Sequence, residues 1–257
     1  MDGNRSLNAR QQKLLEYINE NGSAQIRDFS GTHGVSEATI RRDFDELTRL
    51  GLIERVHGGA VRINGTSFER AHSEKMNLMM SEKLRIAEYA ASIVENGDSI
   101  FLDSGTTTYF IARELSRHKD LTIITNNLDI AQSVYFDPSV SLIVTGGLRR
   151  DQYSVLIGSI TEQVIQSFCV DKAFIGCDAI DPKNGLYNTN FQEVSVKLCI
   201  THCGKKTILV TDSSKFHTKA LAKVCDLDEI DMIITDSGLK ESVSQAVKKR
   251  VPNTVCV

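Results

Sequence analysis

Arg41, Arg42, Thr39 and Ser36 lie close together in the stretch 35–47, with the small Ala38 among them. Arginines reach phosphates or guanine edges, and hydroxyls reach bases. Ile40, Phe44 and Leu47 recur at i, i+4 and i+7 and give the same stretch one apolar face, so it reads as an amphipathic helix. Ser36 suits its N-cap, Glu37 the positive end of its dipole, and Gly51 its end. A helix with a short face of small residues, a threonine and two arginines has the chemistry needed to lie in a DNA groove. Residues 52–61 continue as a short β-hairpin through Arg55-Val56-His57-Gly58-Gly59-Ala60.

A second set of polar groups follows apolar runs further along. These are Asp103-Ser104-Gly105-Thr106-Thr107-Thr108, Thr125-Asn126-Asn127, Gly146-Gly147 with Arg149 and Arg150 beyond, Gly176-Cys177-Asp178, and Asp212-Ser213-Ser214-Lys215. Glycine lets a backbone approach a ligand, hydroxyls donate hydrogen bonds, and a helix opening at Thr106 favours an anion. One polar loop after a strand is ordinary. Five that converge on one rim suit a phosphorylated polyol.

The elements that position these groups follow from periodicity. Leu14, Leu15 and Ile18 give 8–21 an apolar stripe closed by Gly22. Ser23 is expected to cap a second helix carrying Ile26 and Phe29, and Gly34 makes the turn into the helix at 36–47. Three short helices and a hairpin form a winged helix-turn-helix over 1–62. That region holds nine Lys/Arg and nine Asp/Glu, so it has no strongly basic footprint. A linker is expected over 63–80, with a loop at 64–67 and a short helix whose Met76, Leu78, Met79 and Met80 pack against the second domain or a partner subunit. From 81 to 257, helices at 81–96, 106–116, 128–135, 160–168, 191–203 and 239–249 alternate with strands. The strands are expected at 98–103, 121–125, 140–145, 172–176, 206–211 and 230–235. Short continuous apolar strands between helices indicate a mostly parallel sheet covered on both faces, an α/β doubly wound domain. Ligands bind outside the carboxyl ends of such strands, where the five polar loops fall.

At this point the chain resembles the DeoR-type regulators of bacterial sugar metabolism. Their DNA-binding pattern matches at Ser36, Thr39, Ile40, Arg41, Arg42, Asp43, Leu47, Gly51, Ile53, Arg55, His57, Gly58, Gly59 and Ala60, with Phe44 where leucine is usual. The effector domain of that family belongs with ribose-5-phosphate isomerase, glucosamine-6-phosphate deaminase and the CoA-transferases. Its pattern matches at Asp103, Gly105, Thr106 and Thr107; at Thr125 and Asn126; at Gly146 and Gly147; at Asp171, Phe174 and Gly176; at Glu193 and Lys197; and at 212–216. Asn190 and Ala179 depart from it. The resemblance implies that Ser36, Ala38, Thr39, Arg41, Arg42, Arg55 and His57 face a double-stranded DNA operator. It implies that Asp103, Ser104, Gly105, Thr106, Thr107, Asn126, Gly146, Gly147, Asp178, Glu193 and Lys215 surround a phosphorylated sugar or sugar alcohol. It also implies a homodimer or homotetramer.

The rest of the composition narrows the class. The chain has 257 residues, 41% of them hydrophobic, and a formal net charge of -3. No apolar run reaches 18 residues and the N-terminus is polar, so neither a membrane span nor secretion is expected. Six cysteines are scattered with no C-x-x-C pair. Cys199 and Cys203 flank His202, but each lies in an apolar or helical run and reads as a reduced small hydrophobe. The expectation is a cytoplasmic transcriptional regulator, a repressor of a carbohydrate-utilisation operon, with no cofactor or metal. The alternative is a sugar-phosphate isomerase carrying a DNA-binding appendix, with Asp103, Asp178 and Glu193 as potential bases. Glu193 and Lys197 at i, i+4 are equally well explained as a structural pair.

Overall fold

The computed structural model describes residues 7–49, 52–56, 58–62, 66, 69–150 and 153–257. Gly51, His57, Asn64, Gly65 and Ser67, each given a role above, lie outside them. The chain divides into two compact units, one within residues 1–65 and one within 66–257.

In the first unit, helix α1 (Ala9–Asn21) is capped by Asn8, whose side chain accepts from the Arg10 and Gln11 amides while Gln11 returns a bond to the Asn8 amide. Ser23 does not cap a helix. Ser23–Gln25 is strand β1, because these three residues complete a sheet by pairing with the hairpin, Ser23 opposite Val61. Helix α2 (Ile26–His33) therefore starts after Gln25 without a side-chain cap and ends at Gly34 in the left-handed region. Helix α3 (Glu37–Arg49) follows, then strands β2 (Ile53–Val56) and β3 (Gly59–Arg62), in the sheet order β1-β3-β2. Leu14, Ile18, Phe29, Ile40, Phe44 and Leu47 are buried together, so the apolar stripes of the three helices share one core. Asp43 lies on α3 at the edge of that core and is almost fully buried. It accepts from Arg10 Nε at 2.5 Å, Arg10 Nη2 at 3.1 Å and Gln11 Nε2 at 3.4 Å, and so ties α1 to α3.

The second unit begins with helix α4 (His72–Asn77) and helix α5 (Met80–Ser92). Met76 on α4 packs against the core of this unit, so the segment expected as linker contributes a helix to it. Strand β4 (Ser99–Leu102), helix α6 (Thr106–Glu114), strand β5 (Thr122–Thr125), helix α7 (Leu128–Ser133) and strand β6 (Ser141–Val144) come next. Short strands β7 (Leu148–Arg149) and β8 (Leu156–Ile157) precede helix α8 (Ser159–Gln166) and strand β9 (Val170–Ile175). Strands β10 (Ala179–Asp181) and β11 (Gly185–Asn188), helix α9 (Val194–Cys203), strand β12 (Gly204–Val210) and strand β13 (Ala222–Cys225) follow. Strand β14 (Met232–Thr235), helix α10 (Glu241–Lys248) and strand β15 (Thr254–Cys256) end the unit.

Seven of these strands form one sheet in the order β15-β14-β12-β9-β4-β5-β6, parallel at every pairing. Alternate residues serve its two faces. On β4, Ile100 and Leu102 pack with Phe110, Ile111 and Ile86 under α5 and α6, while Phe101 packs with Ile165, Val196 and Ile200 under α8 and α9. The chain runs outward from β4 to β5 and β6, then returns to the other side of β4 as β9. The strand order therefore reverses between β4 and β9, and the crevice beyond their carboxyl ends is the natural ligand position. The antiparallel ribbon β10-β11-β13 covers the β9–β12–β14 side through Ile180, Leu186 and Val224.

Replacing Asp43 by alanine removes the tie between α1 and α3. Arg10 is partly exposed and rehydrates, so the expected cost is modest, about 1–3 kcal/mol. Hydrogen exchange reads it as lost amide protection in α1 and α3 with residues 66–257 unchanged. Unchanged protection in both helices would contradict the role given to Asp43.

Candidate functional site

On α3, Ser36 Oγ accepts from the Thr39 amide at 3.3 Å and lies 2.9 Å from Thr39 Oγ1, so the hydroxyls of both residues are shared at the helix start. Ser36, Ala38, Arg41 and Arg42 are exposed and Thr39 is half-buried. The two arginines differ. Arg41 Nη2 is 3.2 Å from Glu37 Oε2 one turn back, whereas Arg42 has no ion-pair partner among the described residues. Arg55 is turned inward. Its Nε is 3.5 Å from Asp45 Oδ1, its guanidinium lies 5.2 Å from the Phe44 ring centre, and its Nη1 is buried without a hydrogen-bond partner. Arg55 thus braces β2 against α3.

In the second unit, a cavity of about 70 Å³ opens at the β4/β9 reversal. Its walls come from Ser104-Gly105-Thr106-Thr107 after β4, Gly176-Cys177-Asp178 after β9, and Thr211, Asp212 and Lys215 after β12. Glu69, Lys75 on α4, Lys83 on α5, Tyr153, Glu193 and Lys197 close it. Helix α6 starts at Gly105 with no side-chain cap, so its first N–H groups and the positive end of its dipole face this space.

Beneath the cavity, Lys197 Nζ lies 2.5 Å from Asp103 Oδ2 and donates to the Gly176 carbonyl at 3.0 Å. Asp103 also accepts from the Gly176 amide at 3.0 Å and the Ser104 amide at 2.7 Å. The pair therefore pins the ends of β4 and β9 to α9. Burial pulls the Lys197 pKa down, but Asp103 and Glu193 outweigh it and hold the ammonium above its usual range.

Around the walls, Lys75 Nζ sits 3.1 Å from both Glu69 Oε1 and Asp178 Oδ1. Arg150 pairs with Glu69 and Glu193 and stacks 3.9 Å from the Tyr153 ring centre. Burial would raise the Asp178 carboxyl, but Lys75 and Lys215 hold it well below the usual range. Glu193, by contrast, is pushed up by burial. Burial also pushes the Cys177 thiol up to about 12, so it stays protonated at the mouth. Lys83 is 3% exposed, and its ammonium donates to the Lys75 carbonyl. Among the described residues, neither Lys83 nor Lys215 has a carboxylate at ion-pair distance.

Of the eleven residues implied for the effector, Ser104, Gly105, Thr106, Thr107, Asp178, Glu193 and Lys215 line this cavity. Asp103, Asn126, Gly146 and Gly147 do not. Asp103 is spent on Lys197. Asn126 is buried and donates to the Leu156 carbonyl at 3.2 Å, under β8. Gly146 and Gly147 turn the chain after β6 with positive φ, and a Cβ on Gly147 would collide with Thr161 Oγ1. Their glycines serve a tight turn against α8. The residues that sequence reasoning passed over are Glu69, Lys75 and Lys83. Lys83 had a visible signal, since it falls on the apolar stripe of α5 with Ile86, Ala87 and Ala90.

A winged helix-turn-helix unit joined to a larger α/β unit defines a DNA-binding transcriptional regulator. The family model for the DeoR-like helix-turn-helix domain matches residues 10–66, and that for the DeoR C terminal sensor domain matches residues 79–237. The chain is 34% identical over 242 residues to a provisionally assigned aga operon transcriptional repressor of Escherichia coli O157:H7, covering 93% of this chain and 90% of that protein. It is 31% identical over 249 residues to the glycerol-3-phosphate regulon repressor of Haemophilus influenzae, covering 96% of each. Ribose 5-phosphate isomerase A of Methanocaldococcus jannaschii aligns over 54% of this chain at 18% identity and TM-score 0.39. This chain belongs to the DeoR family, and it is a DNA-binding regulator rather than an enzyme. Among the described residues, no helix is long and apolar enough to cross a membrane.

Asp103→Ala leaves a buried ammonium without its counter-charge, a change that costs about 3–5 kcal/mol. Urea denaturation followed on the second unit should show that loss. Asp103→Ala combined with Lys197→Met should recover much of it. A double variant no more stable than the single one would contradict the ion-pair role.

Proposed function

We propose that the chain represses a carbohydrate-utilisation operon and responds to a phosphorylated sugar or sugar alcohol bound in the β4/β9 crevice. The observation that carries this reading is the uncapped start of α6, which faces the cavity beside the unpaired Lys215. A helix N-terminus with free N–H groups and a nearby ammonium suits a phosphate. Asp178, Glu193 and the hydroxyls of Ser104, Thr106 and Thr107 suit the sugar's hydroxyls. The Haemophilus influenzae relative is named for a glycerol-3-phosphate regulon, and glycerol-3-phosphate is a compound of that chemical class.

On the DNA side, Arg42 is the main contact of α3, with Ser36, Ala38, Thr39 and Arg41 beside it. Arg41 must first leave Glu37, which blunts its contribution. One such module makes a small interface, so paired copies on two half-sites are expected. Arg42→Ala should weaken operator binding by about 1–3 kcal/mol if it reads a base, and more than Arg41→Ala does. Gel-shift titration at two salt concentrations measures this. Equal, undiminished affinity in both variants would remove α3 from the groove.

For the effector, calorimetry with a panel of sugar phosphates is paired with gel shifts on the same proteins. Thr106→Val and Lys215→Ala should lose effector binding and keep operator binding, because the residues changed lie in a separate compact unit. If both variants bind effector as the parent does, the site is elsewhere.

A further inference from the structure

Five cationic side chains line or border the β4/β9 cavity, and three of them are spoken for. Lys75 is held by Glu69 and Asp178, Arg150 by Glu69 and Glu193, and Lys197 by Asp103. The other two, Lys83 and Lys215, have no carboxylate at ion-pair distance among the described residues. They come from different elements. Lys83 is on α5, and Lys215 is in the turn Ser213–His217 after β12. Lys83 is the more telling of the two. Its side chain lies within the protein, and among the described residues it makes a single hydrogen bond, to the Lys75 carbonyl. An ammonium has three N–H donors, and a buried cation left without a counter-charge is expensive.

We propose that Lys83 is a direct ligand of the effector's phosphoryl group, and that Lys83 and Lys215 together make the site selective for a doubly charged group over a singly charged or neutral one. This rests on the reading of the crevice as the effector site and adds the residue that sets its charge preference. Two unpaired ammonium groups match the charge of a phosphate dianion. The α6 N-terminus supplies N–H donors to the same anion. The charged groups facing Lys83 are Asp212, which attracts it, Lys215 and Lys75, which repel it, and Glu82 on its own helix. Asp212 accepts from the Ser214 amide at 3.1 Å and from the Ser214 hydroxyl, both on Oδ1, and neither of its oxygens lies at ion-pair distance from Lys83. Burial lowers the Lys83 pKa from 10.5 to about 8. The sign of the consequence is fixed. Below pH 8 the folded and unfolded chains both carry the proton, and the full cost of the buried charge is present. Between about 8 and 10.5 the unfolded chain holds the proton and the folded chain does not, so stability rises with pH through that window. A dianion restores the proton to Lys83.

The test uses the full chain with inorganic phosphate and sulfate as dianions and acetate as the singly charged control, at matched ionic strength. At pH 7, thermal unfolding of the parent should shift upward along a saturating curve with phosphate and sulfate, and not with acetate. Lys83→Met should melt higher than the parent without added anion, because a buried charge is gone, and should need at least tenfold more phosphate for half its shift. At pH 8.5, calorimetry of sulfate binding in two buffers of different ionisation enthalpy should show proton uptake by the parent and none by Lys83→Met. Sulfate does not titrate in this range, so the proton must go to the protein. If Lys83→Met keeps the parent's response while Thr106→Val and Lys215→Ala lose it, the crevice reading stands and the role of Lys83 is overturned. A lower melting point for Lys83→Met, or no proton uptake by the parent, also overturns it. If none of the three variants alters the response, the crevice reading itself fails.

Discussion

A lysine ammonium buried against an aspartate fixes the geometry on which the second unit depends. Lys197 reaches from α9 to Asp103 at the end of β4 and to the Gly176 carbonyl at the end of β9. Those are the two strands between which the sheet order reverses. Parallel strands diverge there, because their connections leave in opposite directions. The pair holds the strand ends at a set spacing and aims the start of α6 into the space between them. Its cost in desolvation is offset by further hydrogen bonds, since Asp103 also accepts from the Gly176 and Ser104 amides. A carboxylate committed in this way is not available to a ligand, and Asp103 lies beneath the cavity, whereas Asp178, held by Lys75 and the Thr189 amide, is part of its wall.

Above that pair the cavity is a problem in charge balance. Glu69 and Lys75 come from the segment that precedes α5, and they are paired with Arg150 and Asp178, which follow strands of the sheet. The segment that leads out of the DNA-binding unit thus contributes directly to the walls of the sensor cavity. A group of strong negative charge placed at the start of α6 competes with Asp178 and Glu69 for the cations around it.

Much of this was legible in the sequence, for physical reasons that can be named. Apolar runs such as 100–102, 123–124 and 208–210 can sit only in strands covered on both faces, so the parallel sheet and its polar carboxyl ends followed. Ile40, Phe44 and Leu47 fixed which face of α3 is buried, and hence which residues are exposed. The ribbon β10-β11-β13 was not legible, because strands of three or four residues are too short to show a period. Strand β1 was missed because Ser23 is as good a helix cap as a strand residue, and only pairing with β3 decides between them. Gly146 and Gly147 were read as room for a ligand, whereas both turn the chain with positive φ and the collision with Thr161 shows that Gly147 makes room for α8. Lys75 and Lys83 were missed because lysine on a helix is ordinarily solvated. The register of Lys83 with Ile86, Ala87 and Ala90 is the one trace of its burial that the sequence carries.

The central claim is that an anion binds at the start of α6, in the crevice made by the Asp103–Lys197 pair. Amide chemical shifts of the isotopically labelled full chain, followed through a titration with inorganic phosphate, test it most directly. Binding there requires the Gly105, Thr106 and Thr107 amides to move along one saturating curve, with the Gly146 and Gly147 amides still. Movement at Gly146 and Gly147 with the α6 amides unaffected would contradict it.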